Sequence, residues 1–149
     1  MRMLVLGTGK MAKAIAYDFS RQKDVKKIGI AGRKKSSSEK NLKFIKTKKA
    51  KAEILNLTNT KSIIKLLSQY DVAVSAVPYA YNYMLAKAAI KAKCNFVDLG
   101  GNNTIVKKEF SLSNQAKKAG ISIIPDSGLA PGLVSNLSAL GIEELGKEK

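Results

Sequence analysis

The chain has 149 residues, 45% of them apolar, and a formal charge of +16 from 27 lysines and arginines against 11 acids. That is the length and composition of one globular domain with a proper core, and no run approaches the roughly 18 apolar residues of a membrane span. One cysteine and no histidine exclude an internal disulfide, argue against a transition-metal site and fit a reducing cytoplasm.

The first strand is expected over Met3–Gly7, so early that no cleavable leader precedes it. It runs into Gly7-Thr8-Gly9-Lys10-Met11-Ala12 and then a helix over Lys10–Arg21, with Met11, Ile15 and Phe19 on one face. In a doubly wound α/β domain such a turn holds the pyrophosphate of a dinucleotide. Gly7 permits the tight turn, Gly9 lets the backbone approach the phosphates, and Ala12 lets the helix pack close to the strand. The helix start turns its free N–H groups and positive dipole end toward the anion.

A second strand, Lys27–Ala31, leads into Gly32-Arg33-Lys34-Lys35. An NAD-binding domain usually carries an acid here, about 20 residues beyond the glycine turn, to accept from the ribose 2′-hydroxyl. This chain has none. Gly32 leaves room, and Arg33, Lys34 and the serines that follow supply the cations and donors a 2′-phosphate requires. NADP is therefore favoured, with NAD as the alternative; ordinary surface charge is the other reading of Arg33–Lys35.

A helix over Ser37–Thr47, a strand over Ala52–Leu57 and a helix over Thr60–Gln69 follow, with Asn56 and Leu57 in a loop placed against an adenine. Lysines crowd this stretch, Lys43, Lys46, Lys48, Lys49 and Lys51 among them. Phe44 is its single aromatic, which gives no stacking platform, and no recognition-helix motif accompanies it. A solvated face is favoured over a nucleic-acid surface.

The fourth strand, Val72–Val77, ends Ser75-Ala76-Val77-Pro78-Tyr79 at the topological switch point, where a cofactor crosses the sheet. Tyr79, Tyr81 and Tyr83 then lead into a helix over Asn82–Lys93, and Cys94 reads as a small buried hydrophobe. A strand over Asn95–Leu99 ends in Gly100-Gly101; a helix over Thr104–Ala119, a strand over Ile121–Pro125 and a helix starting near Pro131 complete the chain. The strands are continuous apolar runs, as a sheet covered on both faces requires. Six alternations of strand and helix predict an α/β, doubly wound parallel sheet (Rossmann) in three layers, with strand order 3-2-1-4-5-6.

Pro125-Asp126-Ser127-Gly128-Leu129-Ala130-Pro131-Gly132, with Val97-Asp98-Leu99-Gly100-Gly101, Ser75–Tyr79 and the N-terminal turn, resembles the saccharopine dehydrogenase superfamily over essentially the whole chain. The two longer motifs are closest to its lysine 6-dehydrogenase branch, and Gly32-Arg33 is similar to its NADP-using saccharopine reductases. The resemblance implies cofactor contacts at Gly7, Thr8, Gly9, Lys10 and Met11, at Gly32, Arg33 and Lys34 around the 2′-position, and at Asn56 and Leu57 by the adenine. It adds Ala76, Val77 and Pro78 along the cofactor and Leu99, Gly100 and Gly101 near the nicotinamide. Tyr79 and Asp126 are candidates on the substrate side, a structural role for Asp126 weighing at least equally, and no catalytic acid or base is assigned.

Residues 1–130 are expected to form the cofactor-binding domain and 131–149 to begin a crossover helix toward a substrate and dimerisation domain, which in a full-length form makes a homodimer. A fragment is favoured over a stand-alone domain, because Leu133, Leu137, Leu140 and Leu145 lack an evident partner. The implied activity is hydride transfer at the carbon–nitrogen bond of an amino acid of the lysine or saccharopine type, through an imine. A non-catalytic regulatory nucleotide-binding domain is the alternative.

Overall fold

The computed structural model describes residues 1–147. Its six strands are β1 (Arg2–Leu6), β2 (Lys27–Gly32), β3 (Ala50–Ile54), β4 (Val72–Ser75), β5 (Asn95–Asp98) and β6 (Ile123–Ile124). They form one parallel sheet in the order β3-β2-β1-β4-β5-β6, the doubly wound arrangement expected. The helices are α1 (Lys10–Arg21), α2 (Lys35–Ile45), α3 (Thr60–Leu67), α4 (Asn82–Ala92), α5 (Asn103–Phe110), α6 (Ser113–Ala119) and α7 (Leu133–Gly146).

The layers follow from the two-residue period of a strand. On β1, Leu4 and Leu6 enter a core with Ile63, Leu67, Leu85 and Phe96, beneath α3 and α4. Met3 and Val5 point the other way, toward Ala12 and Ala16 of α1 and Ile45 of α2. β1 and β2 are buried on both faces almost throughout, whereas Lys51 and Ile54 of the edge strand β3 are exposed.

Four elements depart most clearly from the expectation. β3 begins and ends earlier than Ala52–Leu57, because its register with β2, from Ile28↔Ala50 to Gly32↔Ile54, stops where β2 stops. The edge strand β6 keeps only Ile123–Ile124; just before it, the Ser122 N–H donates to Asn95 Oδ1 (2.9 Å). The helix expected over Thr104–Ala119 is two helices. At the break Ser111 Oγ donates to Lys108 O (2.6 Å) and the Leu112 N–H to Glu109 O (2.9 Å), a tightened turn beside which Glu109 and Leu112 are both buried. α7 starts at Leu133, after Pro131, because Gly132 has φ +115° and lies outside helical space; α7 buries no residue.

Candidate cofactor and substrate site

The carboxyl edge of β1, β2 and β4 carries a crevice of about 370 Å³ at the switch point. Gly7, Thr8 and Gly9 form its floor. Gly7 has φ +124°, and a Cβ there would stand 2.6 Å from the carbonyl oxygen of Ala76, so the turn passes the end of β4 with no room for a side chain. Its N–H donates to Ala31 O (2.8 Å), tying the turn to β2. Gly9 has open space where its Cβ would be, and Ala12 is fully buried beneath α1. α1 has neither a side-chain cap at Gly9 nor an acid in its first turn, which leaves its positive end uncompensated at the crevice.

Gly32 and Arg33 form the adjoining wall. The space left by the missing Gly32 side chain is already taken: a Cβ would meet Thr8 Cγ2 at 2.5 Å and Ser38 Oγ at 3.0 Å. Gly32 therefore packs α2 onto the glycine turn, a contact that the Asn41 Nδ2 donation to Thr8 O (3.3 Å) reinforces. The free room lies beyond it. Arg33 lines this crevice and a neighbouring one of about 430 Å³ formed with Asn56, Leu57 and Thr58, and its guanidinium has no side-chain partner among the described residues. Asn56 shapes its own loop, since its Oδ1 accepts from the Thr58 N–H (3.0 Å) and Oγ1 (2.7 Å). Asn59 caps α3 by accepting from the Ser62 N–H (3.0 Å).

Ala76, Val77 and Pro78 close the crevice from β4. The turn that follows is held by two buried groups, Ser75 Oγ donating to Asn82 Oδ1 (2.8 Å). The three tyrosines part company here. Tyr81 lines both crevices, Tyr79 packs over Gly101, and Tyr83 lies against the core under Lys87.

On the β5–β6 side, Gly100 (φ +71°) and Gly101 (φ +116°) follow β5. Asp98 Oδ1 accepts from the N–H groups of Gly100 (2.6 Å) and Asp126 (3.2 Å), and Asp126 Oδ1 accepts from the Gly101 N–H (3.3 Å). A Cβ on Gly100 would fall on Asp126 Oδ1. Tyr79 and Asp126 thus both meet the double-glycine turn. Behind them lies buried Glu109, whose carboxyl is pushed up to about 8 by burial, then by Asp98 and Asp126.

The remaining expected residues are more dispersed. Lys10 joins Thr8, Gly9, Lys13, Ser37 and Lys40 in a basic hollow between α1 and α2. Met11 and Lys34 are exposed and line none of these cavities, and Leu99 faces a separate apolar groove with Ile15, Phe19, Val74 and Val97. Ala31 and Leu55 also line the crevice, with Tyr81 of the tyrosine cluster. Ser38, one of the serines expected as donors to a 2′-phosphate, is instead buried and donates to Glu53 O, and Asn41 and Asn82 support the crevice from within. Cys94 is fully buried, and burial, then Asp71, pushes its thiol up to about 12.

A family model described as the saccharopine dehydrogenase NADP binding domain matches residues 3–124. The chain is 26% identical to carboxynorspermidine synthase of Vibrio cholerae over 166 residues, covering 97% of this chain and 40% of that protein. It is 30% identical to the NADP+-dependent, L-glutamate-forming saccharopine dehydrogenase of Schizosaccharomyces pombe over 145 residues, covering 97% of this chain and 31% of the relative. The apo saccharopine dehydrogenase (L-Glu forming) of Saccharomyces cerevisiae superposes with a TM-score of 0.81 at 25% identity, over 98% of this chain and 31% of that one. The chain thus spans well under half the length of these relatives.

Proposed function

The chain belongs to the family of saccharopine dehydrogenase NADP-binding domains, with NADP as its cofactor, and from that premise we propose that the crevice at the carboxyl edge of β1, β2 and β4 is where the cofactor lies. The glycine turn with Lys10 and Met11 takes the pyrophosphate, and Gly32, Arg33 and Lys34 take the 2′-phosphate. Asn56 and Leu57 border the adenine. Ala76, Val77 and Pro78 run along the cofactor, and Leu99, Gly100 and Gly101 border the nicotinamide. One observation carries this reading: an α1 terminus without acid or cap, and a guanidinium without a partner, open onto one crevice. Both suit phosphate groups.

The larger activity is oxidoreduction at the carbon–nitrogen bond of an amino acid of the lysine or saccharopine type, supported by the names of the yeast relatives. When bound, the nicotinamide supplies or accepts a hydride at the carbon bearing nitrogen, through an imine in the substrate. This chain orients it, with Tyr79 and Asp126 on the substrate side of the double-glycine turn. Residues 1–130 are the cofactor-binding unit. The apolar, exposed α7 begins the crossover to a substrate and dimerisation domain of a homodimer. Among the described residues no helix is long and apolar enough to cross a membrane; the cytoplasm is the proposed compartment, in keeping with the reduced, buried Cys94.

Titration of the purified protein with NADPH and NADH tests the site. Tighter NADPH binding is expected. Tighter NADH binding would overturn the roles of Gly32 and Arg33, and binding of neither would overturn the crevice assignment.

A further inference from the structure

Two of the most deeply buried polar side chains play no part in the assigned cofactor contacts. Glu109 is 2% exposed and Asp98 is 0% exposed. Asp98 Oδ2 and both carboxyl oxygens of Glu109 are buried without a hydrogen-bond partner among the described residues. Asp98 is the neighbour that bears on the Glu109 carboxyl both by its charge and as a side-chain hydrogen-bonding group. The remaining oxygen, Asp98 Oδ1, holds two backbone N–H groups, those of Gly100 and Asp126. Two bare carboxylates cannot share such a place, and like charges in one buried site retain a proton between them.

We infer that Glu109 is a positioning residue: its carboxyl proton, donated to Asp98 Oδ2, holds Asp98 so that Oδ1 clamps the Gly100 and Asp126 N–H groups and fixes the Gly100–Gly101 turn beside the cofactor. The inference rests on reading that turn as the nicotinamide edge. The turn needs a clamp. Both glycines have positive φ, and its other side-chain tether is the long 3.3 Å bond from the Gly101 N–H to Asp126. Asp98 sits at the end of β5, which continues straight into the turn, and Glu109 is the buried residue near the C-terminal end of α5.

The charged groups around Glu109 are few. Asp98 faces it from β5 and Asp126 from beyond β6. Lys117 of α6 shares a wall of the adjoining cavity, and α4 buries only Asn82, Leu85, Ala86, Ala88 and Ala89. Loss of the proton sets a second negative charge against Asp98 and drives its Oδ1 off the two N–H groups, which loosens the turn.

The test is NADPH affinity, read by cofactor fluorescence at pH values on either side of 8, the range in which Glu109 ionises. Wild-type affinity is expected to fall about fivefold or more as the pH rises through that range. Glu109→Gln, which still donates to Asp98 and has no charge to gain, should bind with a constant affinity close to the neutral-pH wild type. Glu109→Ala should bind weakly throughout. A role confined to stability would shift the melting temperatures of these variants and leave the pH profile of affinity the same in wild type and Glu109→Gln. A flat wild-type profile, or an equal fall in Glu109→Gln, overturns the inference. Absence of NADPH binding by the wild type at neutral pH overturns the cofactor reading beneath it, a separate failure.

Discussion

The two ends of the sheet's carboxyl edge have opposite chemistry. On the β1–β2 side, α1 and α2 both start without an acid in the first turn or a side-chain cap, and Lys10, Lys13, Lys40 and Arg33 surround the glycine turn. On the β5–β6 side three carboxyls, Asp98, Glu109 and Asp126, gather behind two glycines. The first end presents positive field to whatever anion lies there. The second holds its turn by backbone N–H donation to two aspartates, buried Asp98 and half-buried Asp126. A dinucleotide phosphate laid across the switch point has its charged groups at the first end and its reacting ring at the second, so the contrast matches the cofactor's own polarity. The net charge of +16 is thus not spread evenly over the edge that matters.

The contrast is most severely broken at its hinge, the turn between the halves. Gly7→Val places a branched side chain at φ +124° and against the Ala76 carbonyl. The combined strain and overpacking are expected to cost about 3 kcal/mol or more, seen as a fall in melting temperature of roughly 10 °C and loss of NADPH binding. An unchanged melting temperature would show that β1 and β4 separate easily. Arg33→Asp attacks only the basic end. Removal of a charge-assisted contact, at about 1.5–3 kcal/mol, should weaken NADPH roughly 10- to 150-fold and NADH far less. Equal losses for the two cofactors would count against a 2′-phosphate at Arg33.

How much of this contrast is readable without coordinates differs between its halves. The basic end is written in local sequence: glycines between a strand and a helix, and a missing acid at a fixed distance. The strand order follows from alternation of apolar runs. The acidic end is not legible in this way. Lys107-Lys108-Glu109 has the look of a solvated charge run, and only its i, i+3, i+7 spacing with Leu112 and Ala116 hints that Glu109 faces inward. Ser38 and Asn41 are similar: polar residues at helical spacing on the inward face of α2, whose purpose appears only when Thr8 and β3 are brought beside them. Tertiary placement decides these residues, and local pattern does not contain it. Tyr81 belongs here too, since only the turn pinned by Ser75 and Asn82 separates it from Tyr79 and Tyr83.

Two smaller effects sharpen the acidic end. Gly100→Ala retains a positive φ that alanine tolerates at about 1–2 kcal/mol, and its methyl would fall on Asp126 Oδ1 and stand 2.8 Å from the Asp126 Cα, so the backbone at Asp126 must also shift. The melting temperature should drop by a few degrees and NADPH affinity should decline less than in Arg33→Asp. The pH dependence of stability has a definite sign. The unfolded chain releases the Glu109 proton near 4.5, while the folded chain keeps it to about 8. The folded state therefore binds the extra proton between those values, and stability falls as the pH climbs through that window and levels off above it. Glu109→Gln should show a shallower slope in thermal melts over the same window; an identical slope would place the raised proton affinity elsewhere.

The weakest perturbation lies at the opposite edge of the sheet, where the comparison predicts no functional consequence. Arg2 donates through Nε (2.9 Å) and Nη2 (2.6 Å) to Asp71 Oδ1, and its backbone N–H donates to Oδ2 (2.7 Å), which together hold the Asp71 carboxyl below the usual carboxylate range. The stabilisation is complete above the ordinary value of 3.8 and disappears as the pH falls through the lowered folded value. Both side chains are largely solvated, however, so the pair is screened by salt and by water. Asp71→Asn at neutral pH should lower the melting temperature slightly, more at low ionic strength than at high, because the amide still accepts one of the Arg2 hydrogen bonds but carries no charge. NADPH affinity should not move, since β1 runs its whole length between this pair and Gly7 and its buried residues hold the turn independently. A loss of affinity in Asp71→Asn would mean that the amino edge of β1 and β4 transmits to the glycine turn, and the division of labour drawn along the carboxyl edge would then extend through the sheet.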